Sequence, residues 1–199
     1  MKSCRHFPTK SLKITFQIYS NKYIPFKHFL KLIVMTIVGV IHGDILDTPR
    51  KYIAHQTNCC TIKAHGLSQQ IFNKYPEADV YFARAFSNRR DSPGSVQVTT
   101  TKDGKTILNL MGQFAPGKAD GYFTAIYNKK LGMAVIETTE SRLDWFRYCV
   151  YHVDEMHLDD VVAIPYNVGC GLAGGNWGDY KQILDEAKTN FELYSFNPV

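Results

Sequence analysis

The chain of 199 residues is short of several things, and each shortage excludes a class. Its cysteines number five, an odd count: Cys4, Cys59, Cys60, Cys149 and Cys170. None forms a C-x-x-C pair, so a disulfide framework is excluded and a reducing compartment fits. The longest apolar run, Phe29 to Ile41, is broken by Lys31. It falls short of the roughly 20 residues that a membrane span needs. No compact apolar stretch followed by a small-residue cleavage site stands near the N-terminus, so a secretory leader is not expected. Internal repeats and low-complexity tracts are lacking. Acidic residues are missing from 1–34, which carries seven of the 23 basic residues. The remaining 16 basic residues face 18 acidic ones, a net of −2 from 35 onward. The formal charge of +5 therefore belongs to the first sixth of the chain, and the rest is not a basic nucleic-acid-binding domain.

What is present is enough for one core. Apolar residues make up 45% and aromatics 13%, which suits a globular domain and argues against disorder. The expected organisation is a basic, ill-ordered extension over 1–34 and a domain over 35–199. Met35 is a candidate natural start. The composition of 1–24 loosely resembles an organelle transit peptide, but a cytoplasmic location is favoured.

From Met35 the pattern is regular. Thr36 to His42 is β-branched and apolar on both faces, which predicts a buried strand. Tyr52 to His55 predicts a second strand. Leu67, Ile71 and Phe72 predict a helix stopped by Pro76, and Glu77 to Phe86 a further helix. Asp103-Gly104 between Val96–Thr101 and Lys105–Met111 is a strong hairpin signal. Ala115 to Asn128 reads as a loop and Glu137 to Met156 as a long helix. Asp160 to Tyr166 reads as a buried strand, Trp177 to Asn190 as a helix and Phe191 to Phe196 as a closing strand. Alternating strands and helices with one hairpin predict an α/β sandwich around a mixed sheet. Loops 43–45, 56–66 and 167–176 all follow strands, so they share one sheet edge, where ligands gather in such folds.

Gly169-Cys170-Gly171-Leu172-Ala173-Gly174-Gly175 suits an anion. Glycines permit positive φ and close backbone approach, and a following helix presents unpaired N–H groups. The stretch matches G-x-G-x-x-G, but too little chain follows it for a dinucleotide half with its ribose-binding acid. A tight turn without a ligand is the plain alternative. The loop His55 to Gly66 brings together an imidazole, an amide, thiols and an ammonium ahead of a helix start at Gly66-Leu67-Ser68. His55 could act as a general base or a phosphoryl acceptor, or simply bond a carbonyl. A metal held by His55, Cys59, Cys60 and His65 is disfavoured, since no standard zinc spacing is present. Asp44, after the first strand, could accept from an exocyclic amine or a ribose hydroxyl, or cap a turn.

The order Gly43-Asp44-Ile45, His55-Gln56-Thr57-Asn58-Cys59, Gly66-Leu67-Ser68, Gly169-Cys170-Gly171-Leu172-Ala173-Gly174 resembles a macro domain over roughly 36–196. It is most similar to the branch of stand-alone domains that process ADP-ribose 1''-phosphate, with kin among phage proteins and terminal ADP-ribose protein glycohydrolases. The resemblance implies a three-layer α/β/α sandwich with about six strands. It also implies that Asp44 and Ile45 hold adenine, and that Asn58 binds the distal ribose. Gly66, Leu67 and Ser68 would clamp the diphosphate against Gly169, Cys170, Gly171, Leu172, Ala173 and Gly174, and His55 would be catalytic. Two departures stand out. Ala173 replaces an acid of the glycohydrolases, and Asn109 to Gln113 offers no lysine at the end of the hairpin strand. In place of a triple glycine stands Lys63-Ala64-His65-Gly66. Lys63 or His65 could neutralise a terminal phosphate, or their bulk could narrow the pocket. The expected activity is phosphate removal from ADP-ribose 1''-phosphate by a monomer, with neither metal nor cofactor. The alternatives are a non-catalytic ADP-ribose reader and a hydrolase that removes ADP-ribose from modified macromolecules.

Overall fold

A computed structural model describes residues 36–86 and 91–196. The expected extension over 1–34 lies outside the described residues. The strands are β1 (Ile37–His42), β2 (Tyr52–Asn58), β3 (Val96–Thr100), β4 (Thr106–Gln113), β5 (Val162–Pro165) and β6 (Phe191–Ser195). The helices are α1 (Leu67–Lys74), α2 (Val80–Ala85), α3 (Tyr122–Leu131), α4 (Thr139–Glu155) and α5 (Trp177–Asp185). The six strands form one sheet in the order β1-β6-β5-β2-β4-β3. Every pairing is parallel except the β3–β4 hairpin, whose turn carries Gly104 at φ +86°.

Side chains alternate along each strand, so each sheet face needs its own cover. Ile53, Ile107, Met111 and Ala163 pack one face against Ile71 and Phe72 of α1 and Tyr81 of α2. Tyr52, Ala54, Leu108, Leu110 and Ile164 pack the other against Phe146 and Val150 of α4 and Tyr180 and Leu184 of α5. The result is a three-layer α/β/α sandwich with a mixed six-stranded sheet, as the alternation of the sequence implied. Glycines and prolines mark the turns, and α4 opens with a Thr138–Ser141 capping box.

Four expectations need correction. β1 is an edge strand and not a buried one; Val38, Val40 and Ile41 are exposed. Its apolar composition reports β propensity, and strand order decides burial. β2 runs on to Asn58, because Gln56 to Asn58 continue the pairing with β4 through a register shift. The segment read as one helix over 77–86 is a 3-10 turn at Pro76–Ala78 followed by α2, restarted by Asp79, whose carboxylate caps Tyr81 and Phe82. α3 occupies the stretch read as a loop. It lies between Gly121 and Gly132, both left-handed, and exposes Tyr122, Phe123 and Ile126.

Parallel pairing places the loops after β1, β2, β4 and β5 on one edge of the sheet. β5, β2 and β4 are neighbours, and their loops meet. The loop after β1 stands on the same edge but two strands away from β5.

Candidate functional site

A cleft of about 430 Å³ opens where the loops after β2, β4 and β5 meet the start of α1. Of the residues expected at a site, it is lined by His55, Asn58, Lys63, His65, Gly66, Leu67, Ser68, Gly169, Gly171, Leu172 and Ala173. Asp44, Ile45, Cys170 and Gly174 are not part of its lining. Ile45 is a core residue, and Asp44 caps the turn after β1, its Oδ1 accepting from the Leu46 N–H at 2.9 Å. The Cys170 thiol donates to the Val168 carbonyl.

The glycine loop is shaped from beneath. Tyr180 of α5 is buried under it, and a Cβ on Gly169 would stand 2.3 Å from the Tyr180 ring. Gly169 is also at φ +75°. A Cβ on Gly175 would meet the same ring at 2.6 Å and the Gly169 carbonyl at 2.7 Å. Packing therefore accounts for these two glycines. Gly171 differs: it lines the cleft, and a Cβ there would have no neighbour within 4 Å. Its missing side chain leaves backbone open to whatever enters. Arg142, buried in α4, ties this loop to the next. Its guanidinium donates to the Ala173 and Gly117 carbonyls, both on cleft residues, and to Glu137 at 3.0 Å. Glu137 in turn accepts from the Phe114 and Ala115 N–H groups and from Thr124 of α3.

The opposite wall is held by polar bonds. Gly66 adopts φ +58°, ψ −134°, a conformation open chiefly to glycine, and α1 starts there without a side-chain cap. In its first turn the Gln69 and Gln70 N–H groups bond the Gly66 carbonyl, while Leu67 and Ser68, ahead of them, line the cleft. Asn58 holds the preceding loop: its Oδ1 accepts from Cys60 N–H, Thr61 N–H and the Thr61 hydroxyl, and its Nδ2 donates to Tyr81. Its carbonyl side is thus committed to the loop, leaving one amide hydrogen for a ligand. Arg84 of α2, ion-paired with Asp91 at 2.7 Å, donates to the Asn58 and Thr61 carbonyls from behind.

His55 lies at the floor, 1% exposed, edge-on to Phe72. Its Nε2 is 2.7 Å from Asn109 Oδ1, and its Nδ1 is 3.4 Å from Ser68 Oγ. Burial holds its pKa down at about 4, against the Asn109 bond, which raises it. The ring is therefore neutral at neutral pH. Nε2 is taken and Nδ1 sits behind Ser68, so the geometry fits a base and not an imidazole that attacks a ligand directly. Burial also pushes the Cys59 thiol well up and the Cys60 thiol to about 12, so neither is a thiolate. The set His55, Cys59, Cys60 and His65 does not converge; among the described residues no three His, Cys, Asp or Glu side chains are grouped to hold a metal.

Several lining residues are not singled out by the sequence: Tyr81, Pro116, Gly117 and Asn167. Gln113 accepts from the Gln56 amide and donates to the Ala115 carbonyl. Asn167 had a signal in principle, since asparagine at φ +58° beside a glycine turn is the residue that best tolerates it.

This sheet order, flanked on both faces, with a cleft over the carboxyl edge, is the macrodomain fold. Solved structures agree. The macrodomain of Mycobacterium tuberculosis DarG is 20% identical, covering 80% of this chain and 98% of that one, with a TM-score of 0.56. A macrodomain protein from Streptomyces coelicolor is 18% identical over 81% and 99% of the two chains, with a TM-score of 0.53. Thermosipho africanus DarTG in complex with ADP-ribose is 14% identical over 78% of this chain and 40% of that one, with a TM-score of 0.54. No protein-family model and no curated protein matches the sequence.

Proposed function

We propose that the cleft binds ADP-ribose and that the chain hydrolyses ADP-ribose 1''-phosphate to ADP-ribose and phosphate. The observation that carries binding is the pairing of two backbone-rich walls, the uncapped start of α1 and the open Gly171, across one cleft. A diphosphate between them takes N–H donors from both sides and the favourable end of a helix dipole. A solved structure with this fold is a complex with ADP-ribose. The adenine end extends along the sheet edge towards Asp44 and Ile45, where the second Asp44 oxygen can accept from the amine. The distal ribose lies over Asn58.

The phosphatase reading rests on two further features. Lys63 and His65 stand on the cleft lining beside the start of α1, where a terminal phosphate needs cations. His55 supplies a neutral nitrogen below it. Removal of ADP-ribose from modified proteins through a lysine and an acid is less well supported, since Gln113 and Ala173 stand in those places. A second reading, a reader without turnover, is favoured by the same His55, because both its nitrogens already have partners. Incubating the chain with ADP-ribose 1''-phosphate and measuring released phosphate separates the two. Turnover that falls by about 10²-fold or more in His55→Ala, with ADP-ribose still bound, supports the phosphatase. Binding without any turnover leaves the reader.

A further inference from the structure

The hydrogen bonds around His55 have a direction that can be worked out from fixed points in the backbone. Asn109 Nδ2 donates to the Ala78 carbonyl at 3.1 Å, so the Asn109 atom facing His55 must be the oxygen. His55 Nε2 therefore carries the proton, and Nδ1 carries the lone pair. At the other end, Asn58 Oδ1 is fixed by the Cys60 and Thr61 N–H groups, so Asn58 Nδ2 is a donor. The Tyr81 hydroxyl accepts from this amide at 3.2 Å and from the Asn58 N–H at 3.0 Å. With His55 Nδ1 unprotonated, the Ser68 hydroxyl 3.4 Å from it is the donor of that pair. The series runs one way from Ser68 through His55 and Asn109 to the Ala78 carbonyl. It aims the Ser68 proton at an imidazole that a third residue orients, the arrangement that activates a serine.

We propose that Ser68 is the nucleophile of the phosphatase reaction, with His55 as its base and Asn109 as the residue that fixes the imidazole tautomer. This rests on the phosphatase reading above. Ser68 Oγ attacks phosphorus while its proton passes to His55 Nδ1. The bond between phosphorus and the C1'' oxygen breaks; that oxygen leaves with the electron pair and takes the proton back from the imidazolium. Water then attacks the phosphoserine with His55 Nδ1 accepting one of its protons. The Oγ–phosphorus bond breaks, Oγ regains that proton, and inorganic phosphate leaves. The buried ring is a weak base in the empty cleft, but an anion bound against it favours the charged form, so its basicity rises with the substrate in place. Ser68 lies in the first turn of α1, where the helix dipole favours the negative charge that builds on the transferring group.

The test uses three readouts on the full chain: calorimetric binding of ADP-ribose, phosphate release from ADP-ribose 1''-phosphate, and mass analysis of rapidly quenched reactions. Ser68→Ala should lose at least about 10³-fold in phosphate release at saturating substrate, whatever its affinity for ADP-ribose. The quenched wild-type peptide bearing Ser68 should carry the mass of one phosphoryl group, and the mutant peptide none. If S68A does not fold, the wild-type quench alone decides: phosphate release with no phosphorylated Ser68 peptide at any time point overturns the proposal. So does an S68A rate within a few-fold of wild type. Binding of ADP-ribose without phosphate release by the wild-type chain is a different failure, that of the phosphatase reading itself, and the nucleophile falls with it.

Discussion

On one side of the cleft, at 167–175, shape comes from packing: the ring of Tyr180 occupies the space that side chains at 169 and 175 would need. On the other, at 55–68, shape comes from polar bonds: Asn58 is tied to Tyr81, and Ser68, His55 and Asn109 hold one another through directed donors, with Arg84 bracing the loop from behind. A packed wall tolerates no added volume and is indifferent to pH. A polar wall tolerates small changes of volume but depends on every proton being where the network needs it. Substitutions in the two walls should therefore fail in different ways.

The largest effect belongs to the packed wall. Gly169→Ala adds a Cβ 2.3 Å from the Tyr180 ring at a residue with φ +75°, so both overpacking and backbone strain apply. Denaturant unfolding should show a loss of about 3 to 5 kcal/mol. A loss under about 1 kcal/mol would show that Tyr180 can move aside and that packing does not set this loop.

Next is the brace of the polar wall. Arg84→Ala removes the buried Arg84–Asp91 ion pair and strips donors from the Asn58 and Thr61 carbonyls. A cost of about 3 kcal/mol is expected, the usual scale for breaking a buried pair from one side. ADP-ribose affinity should fall with it in whatever fraction stays folded. Unchanged unfolding in this variant would mean that the loop 58–61 holds itself.

The pH response separates the walls further. His55 has a folded pKa of about 4, below its ordinary 6.5. Between those values the unfolded chain binds a proton that the folded chain does not, so stability is full above about 6.5 and is lost as pH falls towards 4. The loss attributable to this one group is about 3 kcal/mol. Carboxylates such as Glu192, held low by Arg50, add their own acid sensitivity. The His55 share is isolated by comparing melting curves of wild type and His55→Gln between pH 7 and pH 4. The variant should show the shallower decline. Parallel declines would mean that the imidazole is not buried neutral.

The sheet edge, the hairpin and both cleft loops were legible in the sequence because glycines and strand-ending polar residues mark them. Gly66, Gly169 and Gly171 stand where the cleft needs them. The reasons for each glycine were not legible, since Tyr180 is distant in the chain and only the fold brings it under Gly169. α3 was missed because its apolar residues, Tyr122, Phe123 and Ile126, point outward and give no buried stripe. β1 was misplaced because strand order, not composition, decides which strand is at an edge. The buried charges Arg84, Arg142 and Glu137 carry no sequence signal, as a lone charged residue reads as surface until its partners are known. Asp44 was read for a ligand, and its carboxylate is partly spent on a turn.

The smallest effect on stability gives the sharpest contrast between the glycines. Gly171→Ala meets nothing within 4 Å, so its cost should stay below about 0.5 kcal/mol, against several for Gly169→Ala. Equal costs at 169 and 171 in thermal unfolding would erase the distinction between a glycine kept for packing and one kept for approach to a ligand.

The central claim, that this cleft is built for the diphosphate of ADP-ribose, is tested most directly by calorimetric titration of the wild-type chain and of Gly171→Glu with ADP-ribose. Wild type should give a saturable heat in the micromolar range, and G171E, expected to melt like wild type because a Cβ at 171 meets nothing within 4 Å, should give none, since its carboxylate would repel the phosphates. A wild-type chain that shows no heat at high micromolar ADP-ribose, or a folded G171E that binds as well as wild type, would contradict it.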